Sequence, residues 1–169
     1  MVLSISALVH LAQVNIALAR EPLDAPLLAE FMAALGPVNA RADAAPGFVW
    51  RMQTEDGDAT AVRGFGENPQ LIINLTTWDS LEAMREFVYR DPGHLAVMRR
   101  RREWFERVSL HTALWWAPAG HKPSVAEAED RLEHLRACGA RAYAFTFRRH
   151  FAPHDPTLAV RDDRWLCPA

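Results

Sequence analysis

Lysine is almost missing from this sequence. Of the 19 basic residues in 169, Lys122 is the one lysine and the rest are arginine. Net charge is −2, so the basic excess that marks a nucleic-acid-binding chain is missing too. Cys138 and Cys167 are the two cysteines, too few for a disulfide framework or a four-cysteine zinc site. No apolar run reaches the ~18 residues of a membrane-spanning helix. No glycine-rich phosphate loop follows a strand, and there is no G-x-S-x-G elbow and no H-E-x-x-H pair. His150 and His154 are four apart, but in a proline-rich context that does not suit a metal site. What remains is a half-hydrophobic chain, long enough for one core.

Met1 to Ala19 is mostly apolar and ends in Ala17-Leu18-Ala19, which imitates a signal cleavage site. It has no basic start, and Gln13 and Asn15 interrupt it. The reading is therefore a mature first strand, in a cytoplasmic protein with reduced cysteines.

Punctuation and periodicity divide the chain. Leu8 to Leu18 reads as a strand. Asp24 with Pro26 opens a helix, and Gly36-Pro37 breaks or kinks it. Gly47 to Thr54 and Leu71 to Trp78 read as strands, with a long connection over 55–70. A helix capped at Asp79 or Ser80 runs to Tyr89. Asp91-Pro92-Gly93 interrupts it before a second helix, His94 to Val108. Thr112 to Ala117 is a fourth strand, Ser124 and Glu127 box the start of a helix ending at Cys138-Gly139, and Ala144 to Phe147 is a short fifth strand. The order β-α-β-β-α-β predicts a ferredoxin-like α+β sandwich over residues 1–150 with an antiparallel sheet. Residues 151–169 read as an irregular tail.

Strand alternation sorts residues onto two faces. One reads as core: Val14, Ile16, Phe48, Trp50, Met52, Ile73, Leu75, Leu114 and Trp116. The other carries Gln13, Asn15, Arg51, Gln53 and Asn74, with Trp115 among them. That mixture suits a half-solvated face, a dimer interface with hydrogen-bonding amides, or a ligand pocket.

Met98-Arg99-Arg100-Arg101-Arg102 looks like a basic patch, but helical spacing scatters it. Arg99, Arg100 and Arg107 fall on a solvated side. His94, Met98, Arg101, Phe105 and Val108 share an otherwise apolar stripe. An arginine there must snorkel, pair, or face a cavity.

Three stretches carry a family likeness: Ala45-Pro46-Gly47-Phe48-Val49-Trp50-Arg51; Trp78 to Phe105, with Phe87-Val88-Tyr89-Arg90 and the arginine run; and Leu114-Trp115-Trp116-Ala117-Pro118-Ala119-Gly120-His121. From about residue 10 to about 150 the chain resembles the DUF3291 domain, a family with no assigned activity. The resemblance implies a dimeric α/β barrel related to the antibiotic-biosynthesis monooxygenases. The polar face would then be the interior of a homodimer, with Gln13, Arg51, Gln53, Asn74 and Trp115 at the interface. The superfamily includes cofactor-independent oxygenases, haem-degrading enzymes, cyclases, isomerases and stress-related proteins. Its haem-degrading branch uses an Asn that Asn15 matches. It also uses a Trp and a His on the second helical segment, where this chain has Phe87 and an offset His94.

Three functions follow as expectations. The first is a small enzyme without a tightly bound cofactor, acting on a hydrophobic, oxygen-bearing molecule between sheet and helices. His94 is its general base and Arg101 stabilises the oxyanion, with Asn15, Trp50, Met52, Phe87 and Phe105 around the substrate. The second is a non-enzymatic binding or stress-response dimer, favoured by a pocket under roughly 300 Å³. The third is haem binding through His94 or His121.

Overall fold

The computed structural model describes residues 8–156. Strand β1 (Val9–Leu18) leads through a 3-10 turn (Pro26–Leu28) into helix α1 (Ala29–Asp43). Strands β2 (Phe48–Arg51) and β3 (Leu71–Trp78) follow, then helices α2 (Leu81–Arg90) and α3 (Pro92–Trp104), strand β4 (Thr112–Pro118) and helix α4 (Val125–Cys138). The strands form one antiparallel sheet in the order β2-β3-β1-β4. This is the expected ferredoxin-like α+β arrangement.

Helix α1 runs through Pro37 without ending. Ala33, whose carbonyl loses its donor at Pro37, is exposed, so water can take the bond. Asp24 does not cap this segment; Ala25 precedes it, without a side-chain bond. The expected fifth strand is a single bridge, in which Phe145 and Leu114 exchange backbone hydrogen bonds of 2.8 Å. Gly47, at φ +79°, lies so close to α2 that a Cβ there would sit 2.4 Å from the Ala83 Cβ. β2 can pass under the helix only with glycine at that point.

Both faces of β1 are covered. Ala12, Val14 and Ile16 join Leu71, Ile73, Leu75, Ala113, Trp115 and Ala117, and α4 packs on them through Ala128, Leu132 and Leu135. Val62 and Phe65 of the 55–70 connection close the rest of that face, and the Phe65 N–H donates to the Glu129 carboxylate on α4. On the opposite face, Val9, Leu11, Trp78, Leu114 and Trp116 pack with α2 residues, and Ile72 packs with Phe31 and Trp104. The layers are thus α1–α3, sheet, and α4 with its connection. A homodimer of this chain cannot use the polar face as a barrel interior, because α1–α3 lie over it.

Two strands depart from their expected faces. Register pairs Gln13 with Leu114 and Ala12 with Trp115. Trp115 therefore sits in the core under α4, fully buried, its indole N–H donating to Glu127 Oε1 at 2.9 Å. Leu114 and Trp116 are on the other face. In β2 the register shifts between Phe48 and Trp50. That bulge puts Phe48 beside Trp78 on one face and Trp50 with the α4-side core on the other.

Cys138 is disulfide-bonded, which corrects the expectation of a reduced thiol. Cys167 lies outside the described residues. Disulfides persist in oxidising compartments, so the cysteines no longer argue for the cytoplasm. Among the described residues no helix is long and apolar enough to cross a membrane. Of the proposed tail, Phe151 packs beside Phe145 and accepts from the Trp116 indole at 2.9 Å.

Because Trp115 is core, Trp115→Ala should lower unfolding free energy by about 3–5 kcal/mol in urea titration. A cost under about 1 kcal/mol is what a surface or interface tryptophan would give.

Candidate functional site

The polar face and the helices over it do not close completely. A cavity of about 180 Å³ lies between Asn15, Ile72 and Asn74 of the sheet, Phe31, Leu35, Val38 and Asn39 of α1, and His94, Val97, Met98 and Arg101 of α3. Arg51, Met52, Asp58, Thr60, Phe105, Glu106, Val108 and His111 complete its rim.

The sheet floor is set by cross-strand register. Asn15 stands opposite Asn74 on one side and Thr112 on the other. Its Nδ2 donates to Thr112 Oγ1 at 2.7 Å. Asn74 is the one exposed residue in an otherwise buried strand, because the cavity opens above it. Gln13, two residues earlier on the same face, is 5% exposed and accepts from Thr76 Oγ1 at 2.9 Å. It has no surface to offer a partner.

The helical wall depends on Asp91. This residue ends α2 and caps α3, accepting from the His94 backbone N–H at 2.8 Å. Pro92 takes the first helical position, where its missing N–H costs nothing. The same carboxylate pairs with Arg41 at the end of α1 at 2.6 Å. That guanidinium, chiefly by hydrogen bonding, pulls Asp91 down to about 2. The ion pair is partly exposed and screened, so the cap is its larger contribution to stability.

His94 is three residues into α3. Its Nδ1 lies 2.9 Å from the Val88 carbonyl oxygen. A carbonyl only accepts, so Nδ1 carries the proton and Nε2 keeps its lone pair. Burial pushes the imidazole below its usual value, outweighing the Val88 carbonyl and the Asp91 charge, which favour protonation. The result is a neutral base at pH 7. His111, on the opposite rim, is held the same way, with Nδ1 3.0 Å from the Val108 carbonyl.

The two arginines at the cavity differ. Arg51 is spent: its guanidinium reaches Asp43 at 2.8 and 3.1 Å and the Gly57 carbonyl at 2.7 Å. Arg101 is half-buried on the cavity wall, and among the described residues no carboxylate pairs with it.

The cavity thus brings together Asn15, Met52, His94, Arg101 and Phe105 of the residues singled out for substrate, and Arg51 and Asn74 of those singled out for an interface. It excludes Trp50, which packs on the other face. Phe87 stacks 5.2 Å from the His94 ring but faces a separate open groove with Arg41, Gly47 and Asp91. Gln53 is exposed. His111, Asn39 and Phe31 also line the cavity, and the sequence does not mark them as site residues. The signal for His111 is its carbonyl bond to Ile16 N at 2.8 Å, which sets it beside Asn15, and no single strand's pattern reveals that.

Neither haem site fits. The cavity at His94 is far smaller than a porphyrin. His121 has its Nε2 2.7 Å from Glu127 Oε2.

Two outcomes follow. Asp91→Ala should cost about 1 kcal/mol of stability by loss of the cap, read by thermal or urea unfolding. The His94 imidazole should titrate below about 6.5 by NMR. Its burial contributes full stability above that value, and the contribution declines as pH falls through it, because the unfolded chain takes up the proton first. A titration midpoint above 6.5 contradicts the neutral base.

A search of curated proteins finds no match to this chain. Among solved structures, a conserved protein from Methanosarcina mazei is similar at 12% identity, over 68% of this chain and 97% of that one, with a TM-score of 0.48. SnoaB, a cofactor-independent oxygenase from Streptomyces nogalater, is similar at 17% identity, over 67% of this chain and 95% of its own, with a TM-score of 0.42. The family described as Domain of unknown function (DUF3291) matches residues 10–160. A match over that much of the sequence is decisive, and the chain belongs to the DUF3291 family.

Proposed function

We propose that the protein is a small enzyme that removes a proton from an oxygen-bearing, largely apolar molecule, as the first step of an oxygenase-, cyclase- or isomerase-type reaction. The observation that carries this reading is His94: a neutral imidazole with Nδ1 committed to Val88, on the wall of a cavity it shares with Arg101. The substrate proton passes to Nε2. The electron pair left behind delocalises onto the substrate oxygen as an enolate or phenolate, and Arg101 offers that oxygen a positive charge. Phe31, Leu35, Val97 and Phe105 supply the apolar wall. All of these steps are performed by side chains of the chain itself.

A second reading has one observation in its favour. A cavity of about 180 Å³ is below the roughly 300 Å³ at which ligand sites usually begin. It suits a protein that holds a small molecule without transforming it.

Deuterium exchange into the acidic C–H of a small enolisable ketone, acetophenone, separates the two. Wild-type protein should accelerate exchange, and His94→Ala should lose about a hundredfold of that acceleration. Unchanged exchange in the variant removes the base. Native mass spectrometry of protein from its own host then reports oligomer mass and any retained ligand. A retained molecule without accelerated exchange supports the binding protein.

A further inference from the structure

We propose that the cavity is selective for a small organic carboxylate, with Arg101 as its counter-ion. This rests on the reading of the cavity as a ligand site and names the class of molecule it takes.

The argument is one of charge at the cavity wall. Three other charged residues line it, and each is already engaged. Arg51 is bonded to Asp43 and to the Gly57 carbonyl. Glu106 faces Arg20 at 4.0 Å on the exposed rim. Asp58 accepts from Thr60 N–H at 2.8 Å and Thr60 Oγ1 at 2.7 Å, next to the Gly57 that Arg51 grips. Of the two arginines that line the cavity, Arg101 is the half-buried one for which no carboxylate partner is found among the described residues. An unpaired charge in such a place is costly, and a bound carboxylate relieves the cost with two parallel N–H···O bonds.

The rest of the lining disfavours the alternatives. His94 is neutral, so it does not compete as a second cation. Met98 and Val97 on the turn before Arg101, Phe105 on the turn after it and Phe31 of α1 form an apolar wall for the body of such a molecule. A bare inorganic anion would leave that wall empty. A cationic ligand would meet the Arg101 charge on α3.

Three probes of one shape and different charge test this: benzoate, benzamide and benzylammonium, titrated calorimetrically into the full-length chain at pH 7.5. Benzoate should bind at least tenfold more tightly than benzamide, and benzylammonium not measurably. Arg101→Gln should abolish the preference, and Arg101→Lys should keep part of it. Benzamide binding as well as benzoate, no benzoate binding at millimolar concentration, or an undiminished preference in Arg101→Gln each overturns the proposal. The ketone exchange reads His94 and this series reads Arg101, so each can fail alone. A charge preference without His94-dependent exchange leaves a carboxylate site and no base. Exchange without a charge preference leaves the base and no carboxylate site.

Discussion

The helical layer over the sheet hangs on one carboxylate. Asp91 ends α2, caps α3 and holds the end of α1 through Arg41. Those helices pack on one another where they pass over β1 and β3, and the space they leave above Asn15 and Asn74 is the cavity. Gly93 belongs to the same joint, since a Cβ there would fall 2.7 Å from the Arg41 side chain. The orientation of His94 follows from this junction. Its backbone N–H is bonded to Asp91 and its ring to the last turn of α2. The imidazole is thus held at two points of the chain itself.

Much of the fold was legible because alternation and capping are local. β1, β3, α2 and α4 stand where periodicity and caps placed them, with Ser80 and Ser124 as the capping residues. Two features were not local. A strand's own pattern gives two faces but not which of them matches its neighbour, so alternation alone puts β4 in the wrong phase and Trp115 among polar residues. The β2 bulge at Val49 reverses the face of Trp50 relative to Phe48, and nothing in seven letters of sequence announces it. The site divides the same way. The stripe of His94, Met98 and Arg101 came from one helix and lines the cavity. His111, Asn39 and Phe31 come from other elements and meet it only through packing.

Arginine dominance has a positional meaning. Arg41, Arg51, Arg100 and Arg131 each bind groups from elsewhere in the chain: Asp91, Asp43, Glu30 and the Tyr143 carbonyl. A planar guanidinium can bridge elements in this way, and a single ammonium does it less well. Arg101 is chemically identical and left unmatched, which is why it stands out.

The closure of the sheet's apolar face by α4 has a consequence for how the chain is made. α4 follows every strand in sequence, so on a ribosome the sheet is complete before its cover exists. Until Val125–Cys138 emerges, the face carrying Ile73, Leu75 and Trp115 lacks the helix that buries it. The Glu129 contact to the 55–70 connection and the Glu127 contact to Trp115 can form only once that helix has been made.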